Sequence, residues 1–260
     1  MMKILLLALV ASAALPLLAD EPDLINADRP GIADGSTTVR RGALQVELGI
    51  ERDDDHQGDV SSRLFSTPLL VRYGLTKSLE LRVEGDGRQS LRVHEPGFST
   101  SSNGWAPVSI GAKYHFLDGD DRTHKPSLGV IARVFVPSGS GDFRGDSTTG
   151  DVRLAADLNF GEKWSVNPNV GVAFEDQGGR FTAALAALTV QYNFSNRFNA
   201  FVDGGFESPE EVHGDSSLIL DVGSALVIGN ETQLDVSVGW RAHGSTAPQV
   251  FYSAGISRRF

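Results

Sequence analysis

The chain has 260 residues, 40% of them hydrophobic and 22% charged, with 23 basic side chains against 33 acidic ones, a formal net charge of −10 and no cysteine. Without thiols there is no disulfide scaffold, thiolate catalysis or cysteine metal site, and an acidic chain without a long basic run argues against nucleic acid as a partner. Past the first residues no apolar run reaches the ~20 residues of a spanning helix, so membrane insertion would fall to strands.

Met1-Met2-Lys3, the apolar stretch Ile4 to Ala11 and Pro16-Leu17-Leu18-Ala19 give a short basic start, an apolar centre and a small residue before Asp20. That order predicts a secretory signal over residues 1–19, cleaved after Ala19; as a spanning helix it is too short and lacks a positive stop. Residues 20–42 follow as a periplasmic N-terminal segment. From residue 43 to residue 260 apolar and polar residues alternate at period two, the pattern of strands with one face on lipid and the other on a polar interior. Turn residues divide this stretch into about twelve strands of the ~9–11 residues that a tilted spanning strand needs. They run over 43–52, 64–75, 79–86, 106–117, 127–136, 151–161, 164–174, 182–194, 198–207, 216–228, 231–241 and 250–260. In the last, Val250, Tyr252, Ala254, Ile256 and Phe260 share one face and Ser253, Gly255, Ser257 and Arg259 the other; only Arg258 interrupts the apolar face.

The predicted fold class is therefore all-β, a transmembrane antiparallel up-and-down β-barrel of about twelve strands occupying residues 43–260. Short links at Thr76-Lys77-Ser78, Glu162-Lys163, Ser195-Asn196-Arg197 and Gly229-Asn230 alternate with longer ones, the largest from Gly87 to Trp105. This alternation places both termini in the periplasm. Aromatic residues gather near the expected periplasmic ends, Trp164, Tyr192, Phe194 and Phe198 among them. A soluble β-sandwich would also alternate, but it has no reason to collect aromatics at one set of strand ends.

The polar face should line the lumen. Strands two to six direct Arg72, Glu80, Arg82, Glu84, Lys113, Arg133, Arg153 and Asp157 inward, and strands nine to eleven direct Asp203, Asp221, Asp235 and Arg241 inward. A mainly basic arc would then face a mainly acidic one, a transverse field suited to orienting a dipolar or amphiphilic solute. The alternative is that these charges pair and fill the bore, which for twelve strands is roughly 23 Å across between backbones.

Motifs for chemistry are weak. A barrel lipid hydrolase would need a serine, a histidine and a polar orienter at a lipid interface, whereas His56, His94, His213 and His243 fall in external loops, His124 in a turn, and His115 points inward on the strand of Ser109. Asp53-Asp54-Asp55 and Asp118-Gly119-Asp120-Asp121 lack the continuation of a calcium loop, and Arg144-Gly145-Asp146 is a chance tripeptide in a Gly/Ser-rich loop. No catalytic residue, metal site or cofactor is expected, and the reading is not an enzyme.

The order Asp28-Arg29-Pro30-Gly31, a polar spacer, then Gly42-Ala43-Leu44-Gln45-Val46-Glu47 resembles the outer-membrane family assigned to the meta-pathway of phenol degradation. Arg72 to Arg82 and Val136-Pro137-Ser138-Gly139 with its Gly-rich loop are similar to it as well. The resemblance implies a transporter-like barrel linked to uptake of aromatic compounds, with Asp28, Arg29 and Pro30 as a structural motif that ties the N-terminal segment to the periplasmic rim or inside the bore, or forms a simple turn. The expectation is a porin-like protein of the Gram-negative outer membrane for passive, selective transport or binding of small solutes, aromatic or hydrophobic ones included. A non-conducting structural or loop-display barrel is the alternative. Its partners would be outer-membrane lipid and lipopolysaccharide, small solutes, and the barrel-assembly machinery through the strand ending at Phe260.

Overall fold

The computed structural model describes residues 23–209, 211–244 and 248–260; the expected signal at residues 1–19 lies outside them. Fifteen strand segments form one antiparallel sheet. They are β1 (Leu44–Gln57), β2 (Val60–Ser66), β3 (Leu69–Gly74), β4 (Leu79–Gly85), β5 (Arg88–Glu95), β6 (Phe98–Trp105), β7 (Ser109–Leu117), β8 (Ser127–Phe135), β9 (Thr149–Phe160), β10 (Trp164–Asp176), β11 (Arg180–Ser195), β12 (Phe198–Ser208), β13 (Ser217–Ile228), β14 (Thr232–His243) and β15 (Val250–Arg259). The sheet closes where β15 pairs with β1, from Gln45 opposite Arg259 to Asp54 opposite Val250.

The first part of β1 pairs with β3 and the second with β2, while β4 continues into β5 and β6 into β7, so the wall is a closed barrel of 12 strands. Three neighbouring wall strands are interrupted, at Thr67-Pro68, Asp86-Gly87 and Ala106-Pro107-Val108. Proline has no N–H to give to a ladder, and Gly87 adopts a φ of 62°. Bonds from Thr67 N to Asp86 O at 3.0 Å and from Ala106 N to Gly87 O at 2.8 Å bridge this crease.

Two expectations change. The stretch from Gly87 to Trp105 is not an irregular loop: Arg88–Glu95 and Phe98–Trp105 pair as a hairpin that prolongs the wall. Its second strand, Phe-Ser-Thr-Ser-Ser-Asn-Gly-Trp, is polar on both faces and so carries no period-two signal. Similarly, β1 runs past residue 52 to Gln57 and turns at Gly58-Asp59, because the polar run Arg52 to His56 hides the strand.

The barrel is inverted relative to a soluble protein. Ile50, Ile110, Val170 and Val202 are 54–60% exposed, whereas Glu47, Glu80 and Lys113 are fully buried. Apolar side chains outside and ions inside are stable only when the outer surface meets hydrocarbon. Aromatics mark the end that carries the termini: Trp164, Tyr192, Phe194 and Phe198 form a chain with ring centroids 4.9, 5.0 and 5.2 Å apart. Arg258 stays on the outer face near this rim and donates to Thr232 Oγ1 at 2.6 Å.

Candidate functional site: a segment across the bore

Residues 23–42, the segment ahead of the first strand, lie within the bore, one of the placements that the Asp28-Arg29-Pro30 motif left open. Their sequence has few apolar residues to build an element of its own, so its backbone groups are satisfied by the polar inner wall. At the end carrying the termini, Arg259 donates to Asp23 O at 2.7 Å and to its carboxylate at 3.1 Å, and Ile25 N donates to Asn230 O. Asn26 O accepts from Gln45 and Arg72. The chain then sweeps around the interior, bonding β1 through Arg29 N to Glu47 at 3.0 Å and β12 through Ile32 N to Asp203 at 2.8 Å. It meets β10 through a reciprocal pair between Asp34 backbone and the Asn169 amide, both 2.9 Å, β9 through Ser36 N to Asp157 at 3.0 Å, and β4 through Val39 N to Glu80 at 2.8 Å.

Asp28 is the hub. Its carboxylate accepts from Lys113 Nζ at 2.9 and 3.0 Å and from Arg82 Nη1 at 2.8 Å, with Arg72 Nη1 3.5 Å away. Burial pushes the Asp28 carboxyl up, but Arg72, Lys113 and Arg82 together outweigh it and hold it well below the ordinary carboxylate range. Arg72 is shared with Glu80 and Glu47, and Arg82 with Asp34 and Glu84. On the other side of β1, Arg29 reaches Ser253 Oγ of β15 at 2.8 Å and Asp235 of β14 at 3.4 Å, and its carbonyl accepts from Gln233. The guanidinium lies in a slot made by Gly49 and Gly255, which oppose each other in register; a Cβ at either would come within 2.6 Å of it.

The two inward charge arcs therefore exist, but the segment lies between them: Asp28 and Asp34 meet the basic arc and Arg29 meets the acidic one. The expected field across an open lumen is largely spent on holding residues 23–42. Of the predicted lumen residues, Arg82, Glu84, Arg133, Arg153 and Asp221 line a cavity of about 1100 Å³ on the far side of the segment, and Asp157 lines a second, of about 530 Å³, on the side of the termini. Asp28, Arg29, Pro30 and Gly31 line both cavities. Arg72, Glu80, Lys113, Asp203 and Asp235 line neither, being engaged by the segment, and Arg241 pairs with Asp55 at 3.0 Å. Sequence reading missed Asp34, Ser36, Asn169, Gln233 and Ser253; the inward register of the last three was readable, but their partner was not.

Groups weighed for catalysis do not assemble. His115 contacts Ser36 O at 3.2 Å and Asp118 at 2.8 Å, not Ser109. Asp53, Asp54 and Asp55 diverge, Asp54 to Arg52 and Arg63 and Asp55 to Arg241. Among the described residues no group of three His, Asp or Glu is arranged to hold a metal ion. Arg144-Gly145-Asp146 lines the larger cavity.

A closed barrel with an apolar exterior and a polar bore defines an outer-membrane β-barrel. The model of the family described as putative MetA-pathway of phenol degradation matches residues 27–260, and the chain belongs to that family. No curated protein matches it. Among solved structures it is similar to an outer-membrane channel of Pseudomonas putida F1, at a TM-score of 0.64 and 15% identity over 86% of this chain and 98% of that one. It is similar to the KdgM porin at 0.52 and 13%, over 83% and 99%, and to the transport unit of the Escherichia coli autotransporter AIDA-I at 0.52 and 9%, over 84% and 90%. At these identities the likeness is one of fold.

Proposed function

We propose that the protein is an outer-membrane channel for small amphiphilic solutes, aromatic ones included, with residues 23–42 as the barrier to passage and both termini on the periplasmic side. The observation that carries this reading is the pair of cavities in one bore, about 1100 and 530 Å³, both lined by residues 28–31 of the segment. A structural filling would leave no such volumes on both sides. The larger cavity mixes Leu70, Phe135, Leu185, Ile219 and Phe251 with charged groups, a lining suited to solutes with an apolar body and a polar end. The family's link to phenol degradation agrees with aromatic solutes.

On this reading residues 1–19 are removed before insertion, the strand ending at Phe260 engages the assembly machinery, and the exposed apolar face meets membrane lipid and lipopolysaccharide. Mass spectrometry of the protein purified from outer membranes should give a mature chain beginning at Asp20. The many bonds to the segment favour, as a second reading, a barrel that does not conduct at all. Planar bilayers with purified protein decide between them: discrete steps that small aromatic solutes block are expected, and lasting silence across voltages would leave the structural role.

A further inference from the structure

The outer face carries a charge pattern that the bore does not explain. On β1 the lipid-facing residues Leu48 and Ile50 give way to Arg52 and Asp54, and this outward register runs on across the strands beyond the crease. Arg52 opposes Phe65, Phe65 opposes Ser90 and Ser90 opposes Asn103; one pair further out, Asp54 opposes Arg63, Arg63 opposes Arg92 and Arg92 opposes Ser101. Nearer the apolar belt, Arg88 opposes Trp105. Four exposed arginines thus share one outward patch on a chain of net charge −10, with Ser90, Ser101 and Asn103 among them. Asp54 is the one carboxylate within 4.0 Å of any of the four among the described residues; it takes Arg52 at 2.7 Å and Arg63 at 2.9 Å, and Arg88 and Arg92 have none. Like charges set directly opposite each other are destabilising, so an anion supplied from outside the chain would relieve Arg63 and Arg92.

A second feature lies next to the patch. Where the wall is creased, Leu69, Val83, Trp105 and Val108, all outward and 37–55% exposed, line an apolar groove of about 360 Å³. Gly85 also lines it and cannot carry a Cβ, which would come 2.6 Å from Pro107 O. The groove reaches Gly87 and Trp105, so Arg88 stands beside it. An apolar slot on the lipid face with unpaired guanidinium groups at its edge fits a lipid, an acyl chain in the slot and a phosphorylated head on the arginines, which hold phosphate through paired charge-assisted hydrogen bonds. The hydroxyl and amide side chains between them suit a sugar. Arg63 and Arg92, on adjacent strands with Cβ atoms about 5 Å apart, can grip one phosphate. Arg88 is roughly 13 Å further along β5 at ~3.3 Å per residue, within reach of a second phosphate on the same head group.

We propose that this patch is a binding site for lipopolysaccharide, with one phosphate of its glucosamine disaccharide between Arg63 and Arg92, the second at Arg88, and an acyl chain in the groove beside Trp105. The inference rests on the proposed orientation, with the termini periplasmic and this end external, and does not depend on conduction.

Microscale thermophoresis of the purified, detergent-solubilised protein tests it with diphosphorylated lipid A, its dephosphorylated form, phosphatidylglycerol and inorganic phosphate as probes. Diphosphorylated lipid A should bind at least about tenfold more tightly than any of the other three. Arg88→Gln and Arg92→Gln should each weaken it by about tenfold, whereas Arg180→Gln, an exposed arginine at the turn between β10 and β11, should leave it unchanged. Heat-modifiable gel mobility shows whether each variant is folded. Equal binding of dephosphorylated lipid A, of phosphatidylglycerol or of phosphate alone, or full affinity in both folded variants, overturns the site. Orientation is read separately from Asp59→Cys, at the tip of the turn between β1 and β2 of a chain without native cysteine, treated with a membrane-impermeant maleimide on intact cells. Labelling without a preference for lipid A removes the site and keeps the orientation, and absence of labelling removes the orientation and the site with it.

Discussion

Asp28→Asn is the perturbation with the largest expected effect on passage. Lys113 is fully buried, and Asp28 is the one carboxylate within ion-pair distance of it among the described residues. Arg72 and Arg82 would keep Glu47, Glu80, Asp34 and Glu84, so the loss concentrates on Lys113. Breaking a buried pair by removing one partner costs about 3–5 kcal/mol. That cost falls on the state with the segment in place, because once the segment leaves, Lys113 faces a wet bore whichever residue stands at position 28. At about 1.4 kcal/mol per factor of ten, the release equilibrium shifts by roughly a hundred-fold to a few thousand-fold. Single-channel recording should show open probability rising by that order, and Lys113→Met in the Asp28→Asn background should return part of it by removing the stranded charge. A folded Asp28→Asn barrel with the open probability of the unaltered protein would refute the reasoning.

Three smaller effects are expected. Gly49→Ala places a Cβ 2.6 Å from the Arg29 guanidinium, so Arg29 should leave its slot and open probability should rise less than in Asp28→Asn; no rise in bilayers would show that the slot does not hold the segment. Arg153→Ala removes a cation from the lining of the larger cavity and should move the reversal potential in a salt gradient toward cations, whereas an unchanged potential in a conducting protein takes Arg153 off the path. Because the Asp28 carboxyl is depressed, its contribution is fully present above the ordinary aspartate value near ~3.9 and is lost only as pH falls through the depressed value. The conductance gap between the unaltered protein and Asp28→Asn should therefore persist from pH 7 to pH 4, and a gap that closes near pH 5 would contradict that ionisation.

Alternation was enough to read the barrel, since a lipid face and a polar face leave a period of two in every strand that has both. The signal fails where both faces are polar, as in Phe98–Trp105 and beyond Arg52, and there strands looked like loops. Inward parity also located Arg72, Arg82, Lys113, Asp203 and Asp235, but not what they bind. Residues 23–42 have no period, and their contacts depend on wall residues up to 236 positions away. The Asp28-Arg29-Pro30 motif marked the right place. A hub with three cations around one aspartate became visible only when Arg72, Arg82 and Lys113, from three different strands, were brought to one side of the bore.

The most direct measurement uses the absence of native cysteine. A Cβ at Gly205 would lie 2.8 Å from Ile32 Cγ2, so Ile32→Cys with Gly205→Cys puts one disulfide between the segment and β12 within the reach such a bond requires. In the Asp28→Asn background, the bilayer current should be present under reductant, vanish on oxidation and return on reduction. Equal current in both states, with the bridge shown complete by gel mobility, would mean that residues 23–42 do not control the path.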